Sequence, residues 1–344
     1  MDVVALLQRL VRAAGKGPEA VLAELEAPLV AAGMTPRATR AQPSAVAWTR
    51  GSARIAFSGH VDVVPVGEGW TRDPHGGELA EGRVWGRGAC DMLAGVAASV
   101  AAASRSRAPC AILLTTDEET GMRAASHALA EGLLEGVEAV VVGEPTDMAV
   151  GVAEKGVLWL RVTARGRNAH GSMPELGDNA AQRLVRALHA IGALRWEGEH
   201  PLLGRPTLNL GTLRAGEAVN QVPASAVAEL DLRYLPGAKA DDIVARLREA
   251  AREPVEVDVL SDHAPFEVAP DARLARAAVR AAGTRALGLP YGTEASKYAP
   301  AGIPSVILGP GEPGLAHTSR ESVRVEALER AVEVYAELIE EYAR

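Results

Sequence analysis

The stretch RIAFSGHVD, residues 54–62, decides how the rest of the chain is read. Arg54 to Ser58 is a short apolar run that stops at Gly59, and His60 and Asp62 follow at once. Two later stretches repeat the design. CAILLT (110–115) runs into the acids Asp117, Glu118 and Glu119, and EAVVV (138–142) runs into Gly143 and Glu144. Unbroken apolar runs of this length, separated by helical segments, suit buried strands of a parallel sheet. Helical spacing covers 3–11 and 20–32, and Ala- and Val-rich segments at 92–103 and 121–134 read as packed helices.

From 156 the pattern changes. GVLWLRVTA (156–164), 207–213, AVAELDLRY (226–234) and 255–260 alternate in the manner of half-exposed strands, with helices expected over 179–194 and 241–251. Helix and strand signals of the first kind return from Asp271, ending in a long helix over 325–342. The expected architecture is α/β: a mostly parallel sheet with helices on both faces, interrupted by an inserted α+β domain. The boundaries expected are 1–155 and 267–344 for the discontinuous domain and 156–266 for the insertion.

Composition narrows the function. The chain has 344 residues, 48% of them hydrophobic, and 44 acidic against 36 basic residues give a net charge of −8. No basic stripe supports nucleic-acid binding. No apolar stretch is long enough to span a bilayer, and the first residues lack the charge and apolar block of a signal peptide. Two cysteines, Cys90 and Cys110, make no disulfide framework. A cytoplasmic protein with no membrane partner is expected.

The chemistry is carried by loops at strand ends, where open α/β sheets bind ligands. Asp62, two residues after His60, is placed to accept the second N–H of the imidazole, although a loop histidine beside a solvated aspartate reads the same. Asp91, in GRGACDM (86–92), stands where a helix begins and is equally a cap. Three consecutive acids after a buried strand repel one another unless cations neutralise them. The Glu118–Glu119 pair allows one carboxylate to ligate while the other handles a proton. Glu144, His170 (AHGS, 169–172) and His317 (GPGEPGLAH, 309–317) complete the set. Mixed imidazole and carboxylate donors suit zinc, cobalt or manganese better than calcium or an iron–sulfur centre. Gly309, Gly311 and Gly314 fit a dinucleotide-binding spacing, but Pro310 and Pro313 interrupt it and no helix opens there. The remaining histidines, His75, His127, His189, His200 and His263, read as surface or packing residues, and Cys90 as a small buried one.

Taken in order, SGHVDVVP (58–65), GRGACDM, DEETG (117–121), GEPT (143–146), AHGSMPELGDNA (169–180) and GPGEPGLAH resemble the M20 metallopeptidases, in the branch of acetylornithine deacetylase and succinyl-diaminopimelate desuccinylase. The resemblance implies a di-zinc aminopeptidase-like catalytic domain, a lid and dimerisation domain at 156–266, and a homodimer formed through that lid. It implies two divalent ions, zinc first, with cobalt or manganese possible. His60 and Glu144 would hold one, Glu119 and His317 the other, and Asp91 would bridge. Asp62 would orient His60, Glu118 would be general base and acid, and His170 would stabilise the oxyanion, in its own or a partner's site. Asn220, Arg233, Thr293, Glu294 and Gly311 match substrate-side positions. The implied activity is removal of the acyl group from a small N-acyl amino acid by a metal-activated water, with acetylornithine-type deacylation first. Desuccinylation or dipeptide cleavage is the alternative, and a homologue that kept metal but lost catalysis would lack a ligand or the base. Two departures stand out: Leu93 replaces a customary lysine, and Thr318 to Ser322 (TSRES) replaces a customary Gln-Pro-Asp-Glu-Tyr.

Overall fold

The computed structural model describes all 344 residues. They form two compact units: Met1–Ala153 with Glu267–Gly288 and Thr293–Arg344, and Glu154–Phe266 with Leu289–Gly292. Each is described separately.

The first unit is built on a nine-stranded sheet. Its centre is Cys110–Thr115, Ile55–His60, Ala139–Val142 and Ser305–Ile307, in that spatial order and all parallel. Antiparallel strands flank this centre: Ala45–Arg50 and Thr35–Ala38 on one side, Val150–Glu154 on the other. Every residue of the four central strands is buried, which is why their sequences show no alternation. The largely parallel mixed α/β arrangement expected from the sequence is therefore present.

Helix Leu93–Arg105 packs against strand Ile55–His60 and helix Val325–Tyr342. Its residues from Leu93 to Ala103 are all buried, so it is apolar on every face. Small side chains let it sit close to the sheet. A Cβ at Gly95 would lie 2.1 Å from the carbonyl oxygen of Gly143, so only glycine allows this helix to touch the loop carrying Glu144.

The helix expected over 121–134 is shorter, Arg123–Ala130. Gly121 and Met122 both donate their N–H groups to the Asp117 carbonyl, and Met122 adopts φ 52, so the chain turns before the helix can start. The Asp117 carboxylate then accepts from the N–H groups of Arg123 (3.0 Å) and Ala124 (2.8 Å). One acid of the DEE run is thus a helix cap.

The second unit is a four-stranded antiparallel sheet in the order Thr207–Ala215, Ser225–Tyr234, Gly156–Arg165, Val255–His263. Alternation sends Leu158, Leu160, Val162, Leu230 and Leu232 to the face covered by helices Ala180–Gly192 and Ala240–Ala251, where Leu184 and Leu247 meet them. The opposite face carries the half-exposed Trp159 and the Arg161–Glu229 ion pair. Thr207–Ala215 is an edge strand with Leu210 and Leu213 exposed. No helix of the protein is long and apolar enough to cross a membrane.

Candidate metal centre

Parallel neighbours end at the same edge of a sheet, and here three of those ends carry acids or imidazoles. His60 is the last residue of its strand, Glu118 and Glu119 follow Cys110–Thr115, and Glu144 follows Ala139–Val142. The chain leaves Ile55–His60 for the strand on one side and then crosses to the strand on the other. Open sheets bind ligands at such a reversal of strand order.

Asp91 stands at the middle of the cluster. Its Oδ1 is 3.2 Å from Nε2 of His60 and its Oδ2 is 3.2 Å from Nε2 of His317. Glu144 Oε1 lies 3.6 Å from the same nitrogen of His60, and Glu119 Oε1 lies 3.1 Å from that of His317. The potential ligand atoms of His60, Asp91 and Glu119, and those of His60, Glu118 and Glu144, lie within 4.8 Å of one another. His317 reaches this position with φ 61, in the left-handed region that costs a non-glycine residue about 1–3 kcal/mol. The Asp91–Met92 peptide bond is cis.

The His60 tautomer follows from its neighbours. Nδ1 is 2.9 Å from the Asp62 carbonyl oxygen, which only accepts, so Nδ1 carries a hydrogen. In the neutral ring Nε2 then presents a lone pair to two carboxylates. That contact is repulsive unless a cation or a proton lies between them. Asp62 also brings its carboxylate Oδ1 to 3.6 Å of Nδ1, but the closer partners of that carboxylate are the N–H groups of Glu118 (3.2 Å) and Glu119 (3.1 Å). Asp62 therefore ties the His60 loop to the Glu118–Glu119 loop.

Electrostatics point the same way. Burial works against a charged His60 imidazole, but the hydrogen bond to Asp91 and the charges of Glu144 and Glu118 outweigh it and raise its pKa well above the ordinary value. His317 is pushed up to about 10 by Asp91 and Glu119. Burial, reinforced by neighbouring carboxylates, pushes Glu118 and Glu144 well above the usual range. Asp91, although buried, is held low by its bonds to His317 and His60. The cluster thus holds more negative charge than two imidazoles relieve, and its donors fit divalent ions of the zinc type.

Thr293, Glu294 and Gly311 lie in the same unit as the cluster, and the charge of Glu294 is felt by Glu118. Glu294 is buried and accepts from the Ser58 hydroxyl at 3.0 Å and the Tyr298 hydroxyl at 3.3 Å. Thr293 accepts the N–H of Ala295 on its hydroxyl at 3.1 Å, at the start of a short helix. Gly311 has φ 109 and packs on Cys90, whose Sγ would be 2.6 Å from an added Cβ. Cys90 is buried, as expected. Nδ1 of His127 donates to the Pro43 carbonyl oxygen, 2.9 Å away. His170, Asn220 and Arg233 belong to the second unit. His170 is exposed on the ribbon Ala169–His170 and Gln221–Val222, with Nδ1 2.7 Å from the Ser172 hydroxyl. Asn220 accepts the N–H of Gly171 at 2.7 Å on its backbone oxygen. Arg233 is forked onto Asp231 by Nε (2.8 Å) and Nη2 (3.0 Å).

The sequence profile of peptidase family M20/M25/M40 matches residues 56–341, which span every residue of the cluster. The chain belongs to that family. This M20 hydrolase is 30% identical over 312 residues to an acetylornithine deacetylase of Proteus mirabilis, covering 85% of its own length and 80% of the relative's. It is 35% identical over 230 residues to a succinyl-diaminopimelate desuccinylase of Acidiphilium cryptum, covering 62% and 59%. Its fold matches an M20 family metallo-carboxypeptidase of Sulfolobus solfataricus with a TM-score of 0.82 at 16% identity, over 100% of this chain and 99% of that one.

Proposed function

We propose that this M20 hydrolase removes the acyl group from a small N-acyl amino acid, with N-acetylornithine-type deacylation as the leading reading, and that it does so with two divalent ions, zinc first. One observation carries this reading: a single carboxylate, Asp91, faces His60 and His317 with its two oxygens at 3.2 Å each. His60 and Glu144 would hold one ion, Glu119 and His317 the other, with Asp91 between them. When bound, the pair supplies Lewis-acid polarisation of the amide carbonyl and of the attacking water. Cobalt and manganese suit the same donors.

Glu118 takes the proton of the attacking water and returns it to the departing amine, since an amine leaves only once protonated. Asp62 holds the loop of that base and, through its carbonyl, the His60 ring. His170 donates to the carbonyl oxygen as negative charge develops there, in its own or a partner's site, and such a donor contributes about 3–4 kcal/mol. Residues 156–266 act as the inserted lid and dimerisation domain. The exposed edge strand Thr207–Ala215 supports a homodimer, because an unpaired edge with Leu210 and Leu213 invites a second chain. Two buried free cysteines fit a reducing compartment such as the cytoplasm.

Arg233 recognises the substrate carboxylate, with Asn220 beside it on the substrate side. Asp231 occupies Nε and Nη2 of Arg233, which leaves Nη1 and one hydrogen of Nη2 for a ligand. Arg233→Lys is expected to raise KM about tenfold with a smaller change in kcat, the loss of one charge-assisted hydrogen bond of about 1.5 kcal/mol. Steady-state kinetics check this, and an unchanged KM would remove Arg233 from substrate recognition. The desuccinylase relative favours a second reading, cleavage of an N-succinyl amine. A panel of N-acetyl and N-succinyl amino acids and dipeptides, assayed on zinc-loaded protein, separates the readings. Turnover of N-acetyl substrates first is the expected result, and cleavage of dipeptides alone would overturn it.

A further inference from the structure

Directly beneath Asp91 lies a buried ion pair that no step above uses. Arg87 is 2% exposed and Glu321 is 0% exposed, and Nη1 of Arg87 donates to Oε2 of Glu321. The other oxygen of Glu321 accepts two backbone N–H groups, those of Cys90 and Asp91, each at 3.0 Å. Nη2 of Arg87 reaches the carbonyl oxygens of Pro65 and Val66 at 3.4 Å and of His317 at 3.5 Å. The guanidinium lies 5.3 Å from the centre of the Trp70 ring. Gly86 (φ 146) and Gly88 (φ 82) flank Arg87 in backbone conformations that side chains disfavour, so the chain can turn Arg87 inward.

These contacts link the loop after His60, the loop carrying Asp91 and the loop carrying His317. We propose that Arg87 and Glu321 are a positioning pair that fixes the Asp91 carboxylate between the two histidines and so sets the affinity of the centre for metal. This rests on the reading of Asp91 as the bridging ligand. Stability alone does not account for such a pair. Apolar replacements of similar volume in buried ion pairs are often neutral or stabilising, because charge desolvation offsets most of the attraction. What an apolar pair cannot do is accept the N–H groups of Cys90 and Asp91 while holding two other loops by their carbonyls. Charge-assisted bonds to backbone N–H groups are short and directional, and groups that orient ligands change metal affinity by about 10- to 100-fold when removed.

The test uses full-length, zinc-loaded wild type, Glu321→Gln, the apolar double variant R87M/E321L and a core variant in another element, Leu338→Ala, in helix Val325–Tyr342. The double variant leaves no unpaired buried charge, so it carries the test where Glu321→Gln fails to fold. Each protein is titrated with a chelator while bound metal and Tm are measured. The expected result is that both Glu321 variants release zinc at chelator concentrations about 10- to 100-fold lower than wild type. Leu338→Ala is expected to lose Tm but to release zinc as wild type does. Wild-type zinc retention in R87M/E321L, or equal loosening in Leu338→Ala, would overturn the positioning role. Wild type that binds no zinc would instead overturn the reading of Asp91, and this inference with it.

Discussion

Glu118→Gln is expected to lower kcat by about 100- to 10,000-fold, the range that a positioned general base contributes, while the protein keeps both metal ions. The amide of glutamine has nearly the shape of the carboxylate but cannot take a proton from water at neutral pH. Burial, with Glu119 and Asp91 close by, already pushes the Glu118 carboxyl well up, the direction that strengthens a carboxylate as a base. The geometry also offers Glu118 a competing role, because its oxygen comes within 4.8 Å of ligand atoms of His60 and Glu144. Metal content measured beside kcat separates the two. Loss of activity with metal retained assigns Glu118 to proton transfer. Loss of metal together with activity makes it a ligand, and near wild-type turnover removes it from both roles.

Exhaustive chelation is expected to abolish hydrolysis, and added zinc or cobalt to restore it. The same removal should lower Tm, since an ion at a hundred times its Kd stabilises the folded state by about 2.7 kcal/mol. The physical reason is the crowding around Asp91. Without cations, His60 and His317 must stay protonated to neutralise carboxylates at 3.1–3.6 Å, and the buried Glu144 remains beside the charge of Glu118. Protein that remains fully active after complete metal removal would exclude a metal-dependent reaction.

Much of this site could be read before any coordinates, for a definite reason. Strands 55–60, 110–115 and 139–142 are buried on both faces, so their apolar runs are unbroken and the polar residue that ends each one stands out. What escaped reading lacks that contrast. Thr35–Ala38 (TPRA) is a wholly exposed edge strand without an apolar pattern, and Val150–Glu154 (VGVAE) is wholly buried but carries a glycine and ends in a glutamate, so its apolar run is broken. Asp117 sits beside two acids that face the cluster, yet the Arg123 and Ala124 N–H groups claim it, and spacing does not reveal which of three acids turns away. Arg87 and Glu321 are 234 residues apart and act through backbone groups, which leave no mark on sequence; only a charged residue between two glycines hinted at the first. The partner of Arg233 was hidden for another reason: Asp231, two residues away, shares its strand face, a relation visible in the period of two but indistinguishable there from a solvated pair.

The central claim is that scattered acids and imidazoles close on two cations astride Asp91. A crystal structure of zinc-loaded protein with anomalous data at the zinc edge tests it directly. Two peaks about 3.5–4 Å apart are expected, one on each oxygen of Asp91, with His60 and His317 nitrogens about 2.0–2.1 Å from their own ion. Absence of any peak at Asp91, or zinc held by residues that exclude both His60 and His317, would contradict it.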